Sequence, residues 1–372
     1  MRRILYFSRD YTPHDYRFLT ALAQTDHRVY YLRLESGSTL IEERPLPAEI
    51  EQMQWSGGNH PPTLKDGPRL LADLRRVIQQ VKPDLIQAGP IQRSAFLVAL
   101  VGFQPLVSMS WGYDLLHDAR TNPLWGWSTR YTLRHSAAMV GDCNTIRQLA
   151  ISYGIADEHI VTFPWGVDIH HFNVSTFTRS NDPTFNLLST RGFEPIYGID
   201  VIARAFVIAG RQQPNLHLTM IGDGSQMASI RQIFLVGAVY DRVQFAGQVP
   251  YDELPDYYRR ADVYLSASHS DGSSISLLEA FACGSPAIVS DIPGNQEWVI
   301  NGENGWLFPD GDPEALAAAI LDAYARRQRL TEMGRNARML AEERADWNRN
   351  FPLLEKAYAI ALARSPHTGA NL

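Results

Sequence analysis

Short runs of β-branched and aromatic residues alternate with longer stretches of helical periodicity from the first residues of the chain. In the first half these runs predict buried strands, separated by helix-length segments such as 69–81 and 144–153. The predicted strands are 3–8, 29–34, 84–87, 106–109 and 138–140. Because strands joined by helical crossovers pair in parallel, residues 1–163 are predicted to form a Rossmann-like α/β domain.

The alternation stops after Phe163 and restarts at Phe185. The segment 164–184 has no period and is rich in Asn, Ser, Thr, Asp and His, so it is predicted to be an interdomain linker. A second set of strands follows at 185–189, 216–221, 243–246, 263–265 and 287–289. This pattern predicts a second Rossmann-like domain over 185–345, and the chain then continues as a helix over 346–363.

Composition narrows the class of protein. The chain has 372 residues, of which 45% are hydrophobic and 20% charged, as in a folded globular protein. Its net charge of −6 argues against nucleic acid as a partner. Two cysteines are too few for a disulfide framework and fit a cytoplasmic setting. The apolar run after the first three residues is too short for a signal peptide, and no run could cross a bilayer, so membrane contact is expected to be peripheral at most.

The charge is distributed unevenly between the two halves. Residues 1–163 hold 17 basic and 16 acidic residues, whereas the remainder holds 17 and 24. One interpretation is two ordinary surfaces. The other is a first half that tolerates an anionic acceptor or a lipid surface better than the second half does.

The segment 268–286 has the pattern of a strand end, a loop of small residues and a helix. Asp271 and Gly272 predict a tight turn, and Ser273 or Ser274 is predicted to cap the helix. The first N–H groups of that helix, with its dipole, form an anion site that would suit a diphosphate.

Glu279 lies one to two turns into this helix, and none of its helical neighbours at three or four positions is charged. A ribose diol would satisfy the carboxylate, because two adjacent hydroxyls can donate to its two oxygens. The alternative is that Glu279 simply reaches solvent from a buried helix.

Two further loops follow predicted strands of the second domain. The glycines of Gly222-Asp223-Gly224 would let backbone approach a nucleotide closely, but position 227 is Met, so the G-x-G-x-x-G fingerprint of a dehydrogenase is not met. Arg191 follows the strand 185–189 and could clamp a diphosphate, the alternative being an ordinary surface arginine.

These residues together resemble a known family. The run Pro164-Trp165-Gly166-Val167-Asp168, then Arg191, then 222–224, and finally Asp271 with Glu279 eight positions later follow one another between residues 164 and 279 in the order and spacing of the retaining GT-B glycosyltransferases of family 4, group 1. The resemblance implies two Rossmann-like domains facing across a cleft, with the helical end of the chain, 346–372, crossing back to the N-terminal domain. It also implies transfer of a sugar from a nucleotide-sugar to a hydroxyl acceptor with retained configuration.

The resemblance assigns roles to individual positions. Asp271 and Arg191 would act on the donor sugar and diphosphate. Asp114 is the candidate catalytic residue of the acceptor domain on a different ground, as a polar residue expected on the cleft side of that domain. The nucleotide-sugar would be bound by a wider set of residues from the second domain. That set is Glu279, Arg191, Tyr197, Gly222, Asp223, Gly224, Val249, Gly272, Ser273, Ser274, Ile275 and Ser276.

The sequence departs from the family pattern at three positions. The family usually has Glu as its first acidic residue, and this chain has Asp271 there. Tyr197 stands where a Lys is expected, six residues after Arg191. Trp111 stands where a His is expected in the first domain. This leaves Asp114, His117, His14 and Asp15 as the polar candidates of the acceptor half, each of which would otherwise be a capping or surface residue.

The chemistry expected from the resemblance needs no resident cofactor. The donor is expected to be a UDP-sugar, and the acceptor is expected to be a glycan, lipid-linked or small-molecule hydroxyl. The site is expected to be metal-independent, since the sequence shows no Asp-x-Asp or His/Cys cluster placed to hold a cation. Polysaccharide biosynthesis is the expected context. The alternatives are a non-hydrolysing nucleotide-sugar epimerase and a catalytically silent protein that binds sugar nucleotides.

Overall fold

The computed structural model describes residues 1–37, 42, 44–174 and 183–364. The chain forms two compact units. The first combines Met1–Phe163 with the described residues from Phe351 onward, and the second spans Pro164–Asn350. Each unit is a parallel sheet with helices between its strands, so both are Rossmann-like.

The first unit is built on a parallel sheet of seven described strands. The strands are β1 (Arg3–Ser8), β2 (Arg28–Arg33), β3 (Glu51–Gln52), β4 (Leu85–Ala88), β5 (Leu106–Met109), β6 (Ala138–Gly141) and β7 (Ile160–Thr162). They lie in the order β3-β2-β1-β4-β5-β6-β7. The strands β1, β4, β5 and β6 are buried along nearly their whole length, which explains why they read as continuous apolar runs.

Helices cover this sheet and close its core. The α-helices of the unit are Pro13–Ala23, Gly67–Val81, Ser94–Val101, Ala119–Thr121, Pro123–Arg134, Asn144–Ser152 and Leu353–Arg364, with shorter turns at Leu64–Asp66, Asp114–Asp118 and Asp157–His159. The helix Gly67–Val81 buries one apolar stripe, Leu70, Leu74, Val77, Ile78 and Val81, against the sheet.

The second unit is built on a parallel sheet of six described strands. The strands are β8 (Phe185–Ser189), β9 (Leu216–Ile221), β10 (Val243–Gly247), β11 (Val263–Ser266), β12 (Ala287–Ser290) and β13 (Gly305–Phe308), in the order β10-β9-β8-β11-β12-β13. Its α-helices are Ile199–Gln212, Met227–Val236, Leu254–Arg260, Ile275–Ala282, Pro293–Gln296, Pro313–Ala325, Leu330–Arg344 and Trp347–Asn350. Its 3₁₀ turns are Pro195–Tyr197, Tyr240–Arg242, Tyr251–Glu253 and Arg327–Arg329.

Strand order reverses once in each sheet, between β1 and β4 in the first and between β8 and β11 in the second. In open parallel sheets the loops at such a reversal diverge, and the crevice at the carboxyl ends of the strands is where ligands bind. The loops after β8 and β11 are therefore the first place to look for a site in the second unit.

The structure corrects the predicted elements at several places. It adds three strands that the sequence pattern did not predict, β3, β7 and β13. The predicted single helix over 346–363 is wrong: Trp347–Asn350 ends before Pro352, and Leu353–Arg364 begins after it, because proline lacks an N–H and clashes with the preceding turn.

The unit boundaries also differ from the predicted ones. The described parts of 164–184 group with the second unit, and the chain joins the first unit at Phe351 rather than at 346. Among the helices that the structure describes, none is long and apolar enough to cross a lipid bilayer.

Candidate functional site

An arginine and an aspartate meet at the strand reversal of the second sheet. Arg191 lies in the loop after β8 and Asp271 in the loop after β11, and Arg191 Nη2 is 2.8 Å from Asp271 Oδ2. Both side chains are largely buried, at 12% and 20% exposure. The sequence placed the two residues on separate loops, and the fold brings them into one ion pair.

The same guanidinium also reaches the start of a helix. Arg191 Nη1 donates to Ser274 Oγ at 3.0 Å and to Ser276 Oγ at 3.1 Å. The ring of Tyr197 lies against its face, 4.2 Å from the guanidinium carbon. Burial acts to lower the pKa of Arg191, but Asp271 and the neighbouring tyrosine hydroxyls outweigh burial and leave its pKa raised. Arg191 is thus a fixed positive charge.

The helix Ile275–Ala282 begins at this cluster. Ser274 is its N-cap residue, but its hydroxyl accepts no hydrogen bond from the helix backbone. Ser274 thus occupies the predicted N-cap position but does not cap the helix through its side chain, because its hydroxyl accepts from Arg191 instead. Ser276 Oγ is held in turn by the Tyr264 hydroxyl, which donates to it at 2.8 Å.

Glu279 is buried one turn further along the same helix, with 8% exposure. Its Oε2 accepts a hydrogen bond from the Tyr258 hydroxyl at 2.8 Å, and that hydroxyl also lies 2.8 Å from Thr190 Oγ1. Burial, followed by the nearby Glu279 carboxylate, raises the pKa of Tyr258 well above its usual value, so the hydroxyl stays a donor. The interpretation that Glu279 reaches solvent does not fit this burial.

The glycine loop after β9 packs against the arginine loop. Gly222 has a φ of +123°, and a Cβ there would lie 2.9 Å from the carbonyl oxygen of Arg191. The Phe193 N–H donates to the Asp223 carbonyl at 2.9 Å, and the Gly224 N–H donates to Asp223 Oδ1 at 2.7 Å. Glycine thus lets two neighbouring loops approach at backbone distance.

The remaining predicted nucleotide-binding residues surround the same helix start or lie beside it. Gly272 and Ser273 are buried, and Ile275 is half-buried against the second unit's core. Val249 follows β10 and packs at the edge of that core. No described contact joins Val249 to the Arg191 cluster.

Sequence reasoning missed a glycine that holds the acidic loop. A Cβ on Gly294, in the short helix Pro293–Gln296, would lie 2.4 Å from the carbonyl oxygens of both Asp271 and Gly272. Only glycine permits this approach without displacing the loop. Tyr258 and Tyr264 were missed too, because their hydroxyls reach the site from positions whose spacing fits ordinary core residues.

In the first unit, Asp114 follows β5 and is 3% exposed. Its Oδ1 accepts from Ser110 Oγ at 2.6 Å and from the Leu115 N–H at 3.0 Å, and its Oδ2 accepts from the Ile91 N–H at 3.0 Å. Burial raises its pKa to about 6 despite these hydrogen bonds. The carboxylate therefore fastens the loop after β4, at the strand reversal of the first sheet.

The other polar candidates of the first unit occupy ordinary structural positions. Asp15 closes a capping box with Thr12 at the start of Pro13–Ala23 and accepts from the Tyr6 hydroxyl at 3.0 Å. His14 stacks on Trp111, with ring centroids 5.4 Å apart, and burial together with Arg17 lowers its pKa to about 4. His117 is exposed and stacks on Tyr113.

Two family models match this chain, and between them they cover most of it. Residues 14–171 match the model described as "Glycosyltransferase Family 4", and residues 175–340 match "Glycosyl transferases group 1". The chain belongs to the group 1 glycosyltransferases of family 4. The sequence resemblance to this family is thereby confirmed.

Known relatives agree with this assignment. The chain is 31% identical over 193 residues to the "UDP-N-acetylglucosamine--peptide N-acetylglucosaminyltransferase GtfA subunit" of Streptococcus pneumoniae, covering 49% of this chain and 36% of that protein. It spans about half the length of the D-inositol 3-phosphate glycosyltransferases that it also matches.

Two solved structures share the fold of this chain over nearly its whole length. One is the sucrose-phosphate synthase from Thermosynechococcus elongatus, with a TM-score of 0.79, 19% identity, and coverage of 98% of this chain and 100% of that one. The other is Anabaena Alr3699/HepE in complex with UDP-glucose, with a TM-score of 0.78, 19% identity, and coverage of 96% and 100%. The predicted architecture of two Rossmann-like domains, GT-B, is confirmed.

Proposed function

We propose that this chain transfers a hexosyl group from a nucleotide-sugar, a UDP-sugar above others, to a hydroxyl acceptor with retention of anomeric configuration. The observation that carries the proposal is the cluster of Arg191, Asp271 and the helix Ile275–Ala282 at the strand reversal of the second sheet. A fixed guanidinium and a helix N-terminus face the same place, which suits a diphosphate leaving group.

The roles of the site residues follow from this arrangement. Arg191 and the first N–H groups of the helix would bind the diphosphate and take up the charge that develops as the bond to the sugar breaks. Glu279 would accept from the ribose hydroxyls, with Tyr258 holding one of its oxygens in place. Tyr197 would keep the guanidinium flat against its ring, at a position where the family usually has a lysine.

Asp271 would act on the donor sugar. Its carboxylate is held by Arg191, so it is fixed in position beside the place proposed for the diphosphate. In a retaining, front-face reaction, as the family resemblance implies, a leaving phosphate oxygen takes the acceptor proton, so a strong protein base is not required. Asp114, which anchors the loop after β4, would then shape the acceptor site rather than exchange protons.

The choice of UDP rests on relatives rather than on a contact in this chain. The pneumococcal relative is named for UDP-N-acetylglucosamine, and the Anabaena protein of the same fold was solved with UDP-glucose. We propose further that the enzyme acts in the cytoplasm, in polysaccharide or glycolipid assembly, with its first unit in peripheral contact with a membrane.

Nucleotide release from a panel of UDP-, GDP- and ADP-sugars tests the proposal, with and without an array of hydroxyl acceptors and with EDTA present. We expect acceptor-dependent release of UDP and an NMR coupling constant in the product that shows the donor's anomeric configuration. Isomerised donor without any acceptor would support the epimerase instead. Binding without turnover would support the silent protein, and activity restored only by manganese would contradict a metal-independent site.

A further inference from the structure

One helix of the first unit exposes large apolar side chains on its outer face. In Pro123–Arg134, Ser128, Thr129, Thr132 and Leu133 are buried toward the unit. On the opposite side, Leu124 is 60% exposed and Trp127 is 49% exposed. These positions are three residues apart, so they share one face of the helix.

Neighbouring aromatic rings extend this face into a patch. The ring of Trp127 packs against Phe96 at a centroid distance of 5.7 Å and lies 5.5 Å from the ring of Tyr131. The Tyr131 side chain is half-buried. We refer to Leu124, Trp127 and Tyr131 as the aromatic patch. Exposed apolar side chains gathered in one place mark an interaction surface more often than single ones do.

The stretch of chain that carries the aromatic patch, residues 119–141, has basic but no acidic residues. The sequence has no acidic residue between Asp118 and Asp142, while Arg120, Arg130 and Arg134 lie on the exposed side. The structure gives these three arginines no ion pair with any residue that it describes. Arginines beside an exposed Trp and Leu, with a half-buried Tyr next to them, are the composition of a helix that lies in a membrane interface.

We propose that the aromatic patch and its arginines dock the first unit on an anionic lipid surface. Trp127 and Leu124 would enter the region between headgroups and acyl chains, and the arginines would pair with lipid phosphates. This inference names the surface for the peripheral contact proposed above. It does not depend on the donor chemistry of the second unit, because it concerns binding and not turnover.

The test is co-sedimentation of the full chain with vesicles of two compositions. We expect the chain to partition onto vesicles that contain phosphatidylglycerol at low salt, to bind pure phosphatidylcholine vesicles at least tenfold less, and to be released by high salt because the lipid charge is then screened. A chain that stays in the supernatant with the anionic vesicles would overturn the proposal. Equal binding to both compositions would overturn the role of the arginines.

Variants locate the contact on the molecule. Leu124→Gln with Trp127→Gln should lower partition onto anionic vesicles at least tenfold, as should Arg120→Gln with Arg130→Gln. The matched control is Leu235→Gln with Val236→Gln, which removes two exposed apolar side chains, 55% and 71% exposed, from the second unit. A control that loses as much binding as the patch variant, or a patch variant that binds like the wild type, would contradict the assignment. Circular dichroism and thermal unfolding establish that each variant is folded.

Discussion

At the residue scale, the candidate site rests on a guanidinium whose two terminal nitrogens both have partners before any ligand arrives. Arg191 binds Asp271, two serine hydroxyls and a tyrosine ring at once. Such a group cannot swing away, so it presents a pre-organised charge to a diphosphate. Asp271 and the surrounding hydroxyls offset the free-energy cost of burying this positive charge.

The first prediction concerns Asp271. If its carboxylate stabilises the reacting sugar in the transition state, Asp271→Asn lowers turnover at saturating donor by about a hundredfold or more, while affinity for UDP changes little. Steady-state kinetics and calorimetry measure the two quantities separately. Asp252→Asn, in the exposed turn Tyr251–Glu253 of the same unit, is the matched control and should retain most of its turnover. A near-wild-type rate for Asp271→Asn would remove this residue from the catalytic set.

Tyr258 offers a sharper test of the ribose assignment than removal of Glu279 itself. Tyr258→Phe keeps the ring in the core but deletes the hydroxyl that donates to Glu279. We expect UDP affinity to fall by about 0.5–1.5 kcal/mol, the contribution of one hydrogen bond. Tyr257→Phe changes the neighbouring, less buried tyrosine and should leave affinity unchanged. If both variants bind UDP like the wild type, Glu279 is not held for a ribose.

The third prediction is a pH dependence of stability in the first unit. Burial raises the pKa of Asp114 from 3.8 to about 6, so the folded state binds this proton more tightly than the unfolded state does. The resulting stabilisation is present below about pH 4 and is lost as the pH rises to 6. Between pH 7.5 and pH 5 the wild type should gain about 1.4 kcal/mol from this group alone.

Denaturant unfolding of the wild type and of Asp114→Asn at the two pH values isolates this contribution. The variant has no titrating group at position 114, so its free energy of unfolding should show less gain toward pH 5 than that of the wild type. Asp26→Asn, which changes an exposed aspartate elsewhere in the first unit, is the control. Identical pH dependence in the wild type and Asp114→Asn would contradict the raised pKa.

Part of this site was predictable from sequence and part was not. Asp271, Glu279 and Arg191 lie at strand ends, where a parallel sheet gathers its ligands, and the family spacing singles them out. The hydrogen bond from Tyr258 to Glu279 joins residues 21 positions apart on different helices. No periodicity signals such a contact, because a buried tyrosine and a buried phenylalanine leave the same pattern in the sequence.

At the scale of elements, the acidic loop is positioned by backbone contacts as much as by side chains. The short helix Pro293–Gln296 approaches the loop so closely that Gly294 has no room for a Cβ. Short elements are also the ones that the sequence pattern does not reveal. The pattern predicted most long strands within one or two residues, but it missed β3, which has two residues, and β13, which begins with a glycine.

Gly294→Ala tests the role of this contact. The added methyl would meet two carbonyl oxygens at 2.4 Å, so the loop must shift, and we expect a loss of about 1–3 kcal/mol in the free energy of unfolding together with reduced turnover. Gly67→Ala is the control, since nothing lies within 4 Å of a Cβ at that position. Full stability and turnover in Gly294→Ala would mean that the loop tolerates displacement.

At the scale of the whole molecule, the chain repeats one architecture twice. Both sheets place their first strand beside their fourth, and each therefore has one strand reversal with polar loops at the carboxyl ends. In the second unit those loops carry the proposed donor site. In the first unit Asp114 anchors the loop after β4 at the equivalent place, and we propose that the acceptor binds there. The aromatic patch is a further surface of the first unit, and the sugar transfer proposed for the second unit does not use it.

The most direct test of the central claim is a crystal structure of the chain with UDP bound. We predict diphosphate oxygens within hydrogen-bonding distance of the Arg191 guanidinium and of the first N–H groups of Ile275–Ala282, and both ribose hydroxyls on the carboxylate of Glu279. Calorimetry under the same conditions should show that Arg191→Gln weakens UDP binding at least tenfold. A nucleotide bound elsewhere, or one bound here without contact to Arg191 and Glu279, would contradict the account.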